Sequence, residues 1–497
     1  MRAALLTLLL LAGGGAQAQE PPTRVTVGSK KFTESVILGE LARLLAEDAG
    51  LRAAHLRELG GTRVLWSGLL AGELDVYAEY TGTIAEELFA GRNLQGLEEI
   101  RAALAEEGVG SSLPLGFNNT YALGMREDVA GELGLLRISD LAAHPDLRFG
   151  FGSEFMERGD GWPGLRSHYG LENAATGLDH DLAYRGLESG DIQVMDVYTT
   201  DAEIRYYGLR LLEDDHGYFP EYQALWVWRA DLVERAPELI RALRQLEGRI
   251  PAPAMVDMNK RVKIDGTSEV RTAAGFLDDT LGIEVEFQEE TRPERILRTT
   301  LQHLYLVGLS LFLATLAAVP LGVLAARLPR LGQGVLAAVG VLQTIPSLAL
   351  LALLIPFLGL GAPPTLFALF LYSLLPIVRN THAGLTSIPR ELFESAEALG
   401  LSARARLFSI ELPMASRVIL AGVKISAVIN VGTATLAAII GAGGYGQSIL
   451  TGIRLDDYDL IAEGALASAL LALAVQAGFD LLERFVVPAG LRLEPAE

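Results

Sequence analysis

The sequence predicts a chain in two parts, a soluble α/β domain followed by an all-helical membrane domain. Three observations carry this: an apolar leader, an alternation of short β-like runs with helical stretches over 24–290, and an abrupt change after Arg292 into nearly uncharged runs of about 20 residues. A length of 497 residues also exceeds one ordinary domain.

The leader, residues 1–18, reads as a secretory signal: Arg2, an apolar run over 3–12, then Ala16-Gln17-Ala18 as a small-x-small cleavage site. Its apolar run is about half of the roughly 20 residues that span a bilayer, which favours a removed signal over an anchor. The chain has no cysteine, which excludes disulfides, thiolate metal ligands and lipid attachment at a cysteine. Of 41 basic and 61 acidic residues, 11 and 12 lie from Thr299 onward, leaving 30 and 49 in front. The front therefore carries nearly all of the net charge of −20, which argues against a nucleic-acid partner. Solubility of an exported domain explains such an acidic surface.

In the front domain, strands are expected at 24–27, 147–151 and 192–197 and helices at 35–47 and 238–247. Thr33 precedes the periodic run Val36, Leu38, Leu41, Leu44, Leu45, and Ser139 and Asp140 precede Leu141, both as helix-start signals. Such a pattern packs sheets beneath helices.

Behind it, five spans are expected at 304–326, 334–359, 365–378, 418–440 and 459–482, the third short, with Pro346 kinking the second. If the signal exports the front domain, the loops after spans one, three and five face the cytoplasm. Those positions hold Arg327 and Arg330, then Arg379, Arg390, Arg404, Arg406 and Arg417, then Arg484 and Arg492. The opposite loops carry no basic residue at 359–364 and only Arg454 beside Asp456, Asp457 and Asp459. The arginine bias and the signal agree on one topology, with the front domain on the extracytoplasmic side of the cytoplasmic membrane.

Between spans three and four lies Glu394-Ser395-Ala396-Glu397-Ala398-Leu399-Gly400, and nine residues later Ile410-Glu411-Leu412-Pro413. This resembles the EAA loop of ABC importer permeases, from which only Ser395 departs. Small residues at Ser395, Ala396 and Ala398 let a short helix seat closely in a partner's groove, Gly400 permits the reversal that ends it, and Pro413 is expected to stop the segment before span four. Glu394, Ala396, Gly400 and Pro413 are the candidate coupling residues. No G-x-x-x-x-G-K-[ST] phosphate loop occurs. The resemblance thus implies a separate cytoplasmic ABC ATPase, in two copies beneath a permease homodimer. The segments 429–435, 441–446 and Gln343-Thr344-Ile345-Pro346-Ser347 are similar to those of glycine betaine and choline permeases; in them Asn430, Thr433 and Thr435 could bond across helices or line a path.

The front domain resembles the binding proteins for glycine betaine, choline and related osmolytes through six ordered segments. These are 28–34 (GSKKFTE), 79–83 (EYTGT), 118–121 (NNTY), 152–155 (GSEF) with Arg158, 197–201 (VYTTD) and 219–222 (FPEY). The resemblance implies a type II periplasmic binding fold of two α/β lobes that close about a hinge. Lobe one is expected at 24–120 plus 223–290 and lobe two at 121–222, followed by a permease domain at 298–485 with its coupling loop at 391–413. A quaternary ammonium cannot donate a hydrogen bond, so aromatic faces hold it, each contributing roughly 0.5–2 kcal/mol. Tyr80, Tyr121, Tyr198 and Tyr222 match the family's cage tyrosines, and Arg158 and Lys31 are the natural partners of a ligand carboxylate. Lys30 and Lys31 are adjacent, so at most one is expected to point inward. A tyrosine beside a turn is ordinarily half-buried packing; the motif matches are what favour a cage. Trp66, Trp162, Trp226 and Trp228 read as core or lobe-interface residues.

The leading expectation is thus uptake of a quaternary-ammonium osmolyte such as glycine betaine, proline betaine, choline or carnitine. Ergothioneine, with its trimethylammonium group, is the alternative of the same architecture. A transmembrane sensor would carry an output domain, for which only a short tail to Glu497 follows span five. An enzyme is disfavoured: no nucleophile–base pair, metal cluster or cofactor loop stands out among seven histidines and no cysteines. No metal and no cofactor are expected.

Overall fold

Val25 and Val27 are fully buried on a strand, Arg24–Gly28, that pairs in parallel with Arg52–Leu56 on one side and Val76–Tyr80 on the other. Ala224–Arg229 joins antiparallel to Val76–Tyr80 and carries Val109–Ser111 on its far edge, completing a five-stranded sheet. Every residue of Val76–Tyr80 is buried, as expected of a central strand covered on both faces. In this computed structural model residues 23–488 and 490 are described, so the signal segment 1–18 lies outside the described residues.

A second sheet is built from Met195–Tyr198, Tyr121–Arg126 and Leu209–Leu212, all antiparallel, with the parallel pair Phe149–Gly152 and Ala175–Leu178 attached through a Phe149–Val194 bridge. The chain passes between the two sheets twice, and the passages run side by side: Asn118 bridges Gln223, and the Tyr222 N–H donates to Asn118 Oδ1 at 2.6 Å. The two sheets are thus the cores of two lobes joined by two adjacent segments, an arrangement that permits hinge bending.

The helix Thr33–Asp48 buries most of its length against the first sheet. Its N-cap is Phe32, with no side-chain cap. Thr33 is therefore the first helical residue and not the cap that the sequence suggested; its hydroxyl instead accepts from Arg454 Nη1 at 3.1 Å. Ser139 and Asp140 open no α-helix either. They lie within a 3₁₀ turn, Ile138–Ala143, where Asp140 accepts the Arg137 N–H and Ser139 donates to Asp215.

Four helices among the described residues are long and apolar enough to cross a membrane: Arg292–Arg327, Ala362–Thr386, Ala403–Ile440 and Tyr458–Val486. A fifth crossing arises if Pro329–Thr344 and Ser347–Leu358 count as one, although they meet at 97°. The bend sits at Pro346, which lacks an N–H and pushes Ile345 into extended geometry. At mid-depth Asn430 Nδ2 donates to Ser310 and Ser373 hydroxyls, joining three of the spans inside the bundle.

Pro413 does not end the segment before the fourth span. The helical path runs from Ala403 to Ile440, with a wide π turn at Leu407–Glu411 and Pro413 within the first turn of Leu412–Thr433. A π turn shifts the hydrogen-bond ladder by one residue, and a proline just after it gives up a bond that the shift has already disturbed.

The front domain sits on one end of this bundle. Leu59, Leu65, Trp66 and Leu69 share a buried apolar cluster with Leu350, Leu351, Ile355, Leu360, Tyr372 and Ile440. The 97° bend is what lays Ser347–Leu358 beneath the front domain. Contacts on this side come from the two loops expected to be extracytoplasmic: Leu360 from one, and Arg454 and Asp456 from the other. The opposite end of Arg292–Arg327, about 54 Å away by helix rise, meets the EAA-like segment, where Arg327 donates to Glu411 at 3.0 Å.

Candidate ligand-binding site

Tyr121 begins one strand of the second sheet and Tyr198 ends its antiparallel neighbour, and the register places them opposite one another with ring centroids 5.3 Å apart. Tyr222 arrives from the second passage between lobes and stands edge-on to Tyr121 at 5.5 Å. Tyr80, at the end of the first sheet's central strand, reaches the group through Phe32, whose ring lies 6.2 Å from Tyr80 and 5.2 Å from Tyr198. All four predicted tyrosines thus converge, from both sheets, around a cavity of about 20 Å³.

Backbone geometry and neighbours hold each ring. A Cβ on Gly82 would lie 2.7 Å from the Tyr222 ring, so only glycine lets that ring come this close to the Thr81–Thr83 turn. The Tyr222 hydroxyl donates to Asp160 Oδ2 at 2.6 Å, and the Tyr80 hydroxyl to Glu34 Oε1 at 2.6 Å. Behind Tyr198, the His180 ring lies 4.5 Å away; Asp196 and Asp201 hold its pKa well above the usual histidine range against the opposing effect of burial.

Arg158 is buried at the cavity wall, its guanidinium 5.7 Å from the Tyr121 ring centroid. Nε and Nη2 bind Asp160 in a bidentate pair at 2.8 and 2.5 Å, and Nη1 lies 3.6 Å from Glu154. Both partners of the Arg158–Asp160 pair are buried.

Lys31 stands apart from this group. It is half-exposed and pairs across the cleft mouth with Asp179 at 3.5 Å, while Lys30 points inward, bonded to Glu79 at 2.5 Å and Thr62 at 3.0 Å and 5.4 Å from the Tyr80 ring. Which of two adjacent lysines enters depends on how the chain leaves its strand, and the strand ends at Gly28 with residues 29–32 irregular.

Glu34 was not singled out by sequence. It is fully buried under the cage and accepts from Tyr80, from Asn119 at 2.9 Å and from Thr200 at 2.5 Å. Burial pushes its carboxyl up from the ordinary 4.5 to about 7, against the lowering effect of the neutral donors. Thr200 belongs to the second lobe and Tyr80 to the first, so Glu34 ties the lobes together. Phe32, Phe155 and Phe219 were likewise missed, although they sit within three of the quoted segments; Phe155 lies 4.9 Å and Phe219 6.1 Å from Tyr121.

The cavity among the four tyrosines adjoins a larger one of about 550 Å³ between both lobes and the membrane domain; Glu154 and Arg158 line both, and Ile439, Leu450 and Ile453 form its membrane-side wall. Among the described residues no group of three or more histidine, aspartate or glutamate side chains is placed to hold a metal ion.

At the far end, Arg390–Ala398 forms the short helix expected of the EAA-like segment. Ala396 is buried, Glu394 pairs with Arg390 at 3.2 Å, and Gly400 takes φ +72° as its N–H returns to the Glu397 carbonyl. Arg406 links Glu397 to Glu411, fastening this helix to the base of the following span.

Residues 23–279 match the family model for the substrate binding domain of the ABC-type glycine betaine transport system, and 318–489 match that for the inner membrane component of binding-protein-dependent transport systems. The chain belongs to both families, fused in one polypeptide. The fused subunit's permease half is similar to the carnitine transport permease OpuCB of Listeria monocytogenes, 42% identical over 206 residues, which are 41% of this chain and 94% of that protein. The ergothioneine transport permease/binding protein EgtU of Helicobacter pylori is 34% identical over 264 residues, 51% of this chain and 47% of that protein. Among solved structures, one of a glycine betaine/carnitine/choline ABC transporter is 27% identical, covering 51% of this chain and 98% of that one, with a TM-score of 0.44. The fused subunit is thus a multi-pass ABC importer permease carrying its own substrate-binding domain.

Proposed function

We propose that the fused subunit captures a quaternary-ammonium osmolyte (glycine betaine, choline, carnitine or proline betaine) on the extracytoplasmic side and passes it inward. The observation that supports this best is the convergence of Tyr80, Tyr121, Tyr198 and Tyr222 from two lobes. Aromatic faces attract a cation that cannot hydrogen-bond, and a cage assembled from both lobes is complete only when they close. Arg158 Nη1 is the donor left for a ligand carboxylate after Asp160 takes the other edge of the guanidinium. Lys31, at the mouth, acts on an approaching ligand rather than in the cage. Power comes from two copies of a cytoplasmic ABC ATPase engaging Glu394, Ala396, Gly400 and Pro413 of a permease homodimer. The expected boundaries (signal 1–18, binding domain 24–290, permease 298–485) complete this reading.

The second reading is ergothioneine, favoured by the similarity to the Helicobacter pylori protein, whose name joins permease and binding protein in one chain. It uses the same cage. Calorimetric titration of the full chain in nanodiscs with glycine betaine, choline, carnitine and ergothioneine, repeated with Tyr198→Ala, tests both. Tight binding of a quaternary ammonium, weakened by the substitution, is the expected result; silence from all four in a folded chain overturns the substrate class.

A further inference from the structure

Lys263 ends the helix Ala252–Lys263 of the first lobe, with its side chain 8% exposed. An ammonium has three N–H donors. Here each finds one acceptor: Asp181 Oδ1 at 2.5 Å, Glu203 Oε1 at 2.6 Å and the Arg454 carbonyl at 2.6 Å. Asp181 and Glu203 belong to the second lobe, and Arg454 to the membrane-domain helix Tyr445–Leu455. One side chain therefore joins three bodies.

The attachments around it are unequal. Arg454 is buried and binds the first lobe directly, through Glu58 at 2.6 Å, Glu269 at 2.5 Å and Thr33, and the first lobe also shares the apolar cluster beneath it. The second lobe approaches the same loop through Arg185 and Asp456, both about 40% exposed or more. A partly exposed pair of that kind holds weakly and is screened by salt.

We propose that Lys263 is a positioning residue that makes closure of the second lobe and seating of the loop between the fourth and fifth spans, at the end of its helix Tyr445–Leu455, depend on one another, while the first lobe stays docked. Opening the second lobe withdraws both carboxylates and leaves a buried ammonium with a single carbonyl. Displacing the loop removes that carbonyl and loosens the carboxylates' shared partner. Such coupling is reciprocal: a ligand that closes the lobes steadies the loop, and a loop moved by the membrane domain frees the second lobe above the 550 Å³ cavity. Two carboxylates keep the Lys263 pKa above the ordinary lysine value despite burial, so the charge persists at neutral pH.

This inference rests on the proposed function only where a ligand drives closure. Because the chain lacks cysteine, spin labels can be placed at will. In the full chain in nanodiscs, diluted with unlabelled chain, one label pair is Leu136→Cys with Tyr458→Cys, second lobe to membrane domain, and the control is Leu70→Cys with Tyr458→Cys, first lobe to membrane domain; all three sites are exposed. Lys263→Met is expected to broaden the 136–458 distance distribution without ligand, to leave 70–458 unchanged, and to weaken glycine betaine binding at least fivefold. A merely structural role would broaden both distances together. Asp181→Asn and Glu203→Gln carry the same test, with smaller shifts, if Lys263→Met does not fold. An unchanged 136–458 distribution in the substituted chains overturns the proposal, as does equal broadening of the two pairs. If no quaternary ammonium binds the native chain, the proposed substrate class fails, and the ligand-free distances still decide the junction.

Discussion

The Tyr80 hydroxyl donates to Glu34 Oε1 at 2.6 Å, so a tyrosine of the candidate cage rests on a buried carboxyl that also accepts from Thr200 of the opposite lobe. The donors around Glu34 are neutral, and burial keeps its carboxyl protonated up to about pH 7. The folded state then holds one more proton than the unfolded chain between the ordinary 4.5 and about 7. Stability from this group is fully present below the lower value and is lost as pH rises through the upper one. The unfolding free energy of the chain is expected to rise by an increment of order 1–3 kcal/mol as pH falls from about 8 to about 5, seen as a higher melting temperature, and Glu34→Gln is expected to flatten that component. Thermal melts of both proteins across this range provide the check.

The Tyr198 ring lies between Phe32 and Tyr121 in the candidate cage. Losing one aromatic face costs about 0.5–2 kcal/mol, so Tyr198→Ala is expected to weaken quaternary-ammonium binding roughly 2- to 30-fold. Tyr198→Phe keeps the ring and should bind nearly as the native chain does. Comparing the two by calorimetry separates ring from hydroxyl.

Gly82 touches the cage only from behind. Its missing Cβ leaves room for the Tyr222 ring, and Gly82→Ala places a methyl 2.7 Å from ring carbons and 2.9 Å from the Glu221 carbonyl. Overpacking of this kind costs about 1–3 kcal/mol. The expected outcome is a lower ligand affinity through displacement of Tyr222; an affinity equal to that of the native chain would show that the turn yields instead.

Gly400 has φ +72° and open space where a Cβ would stand, so substitution there is purely a matter of backbone conformation. Gly400→Ala is expected to weaken the end of the candidate coupling helix by about 1 kcal/mol and Gly400→Asn by less, because asparagine tolerates the left-handed region. Co-purification of the ATPase with each variant reads the effect; equal losses for both would point to a side-chain clash with the partner.

Much of the architecture was legible because it is written locally. Runs such as 459–482 are apolar enough to declare a span without knowledge of neighbours, and the EAA-like spacing places Gly400 at a helix end by itself. The four tyrosines were found through short motifs. Position within a motif did not say which way a side chain turns: Lys30 faces the cage and Lys31 the cleft mouth, although they are neighbours in an irregular loop. Pro413 reads as a stop, yet the preceding π turn lets the helix pass through it.

Composition and periodicity are properties of neighbouring residues, so the order of the two parts and the apolar spans could be read from them, while the four tyrosines were marked only by the resemblance of short motifs to a family. The meeting of Lys263 with Asp181 and the Arg454 carbonyl, partners 82 and 191 residues away, and the place of Glu34 beneath the tyrosines come from long-range packing. Charged groups are normally solvated, and a buried charge is sustained only where distant acceptors or donors converge on it; that convergence follows from how the lobes and the bundle pack, which no local pattern records.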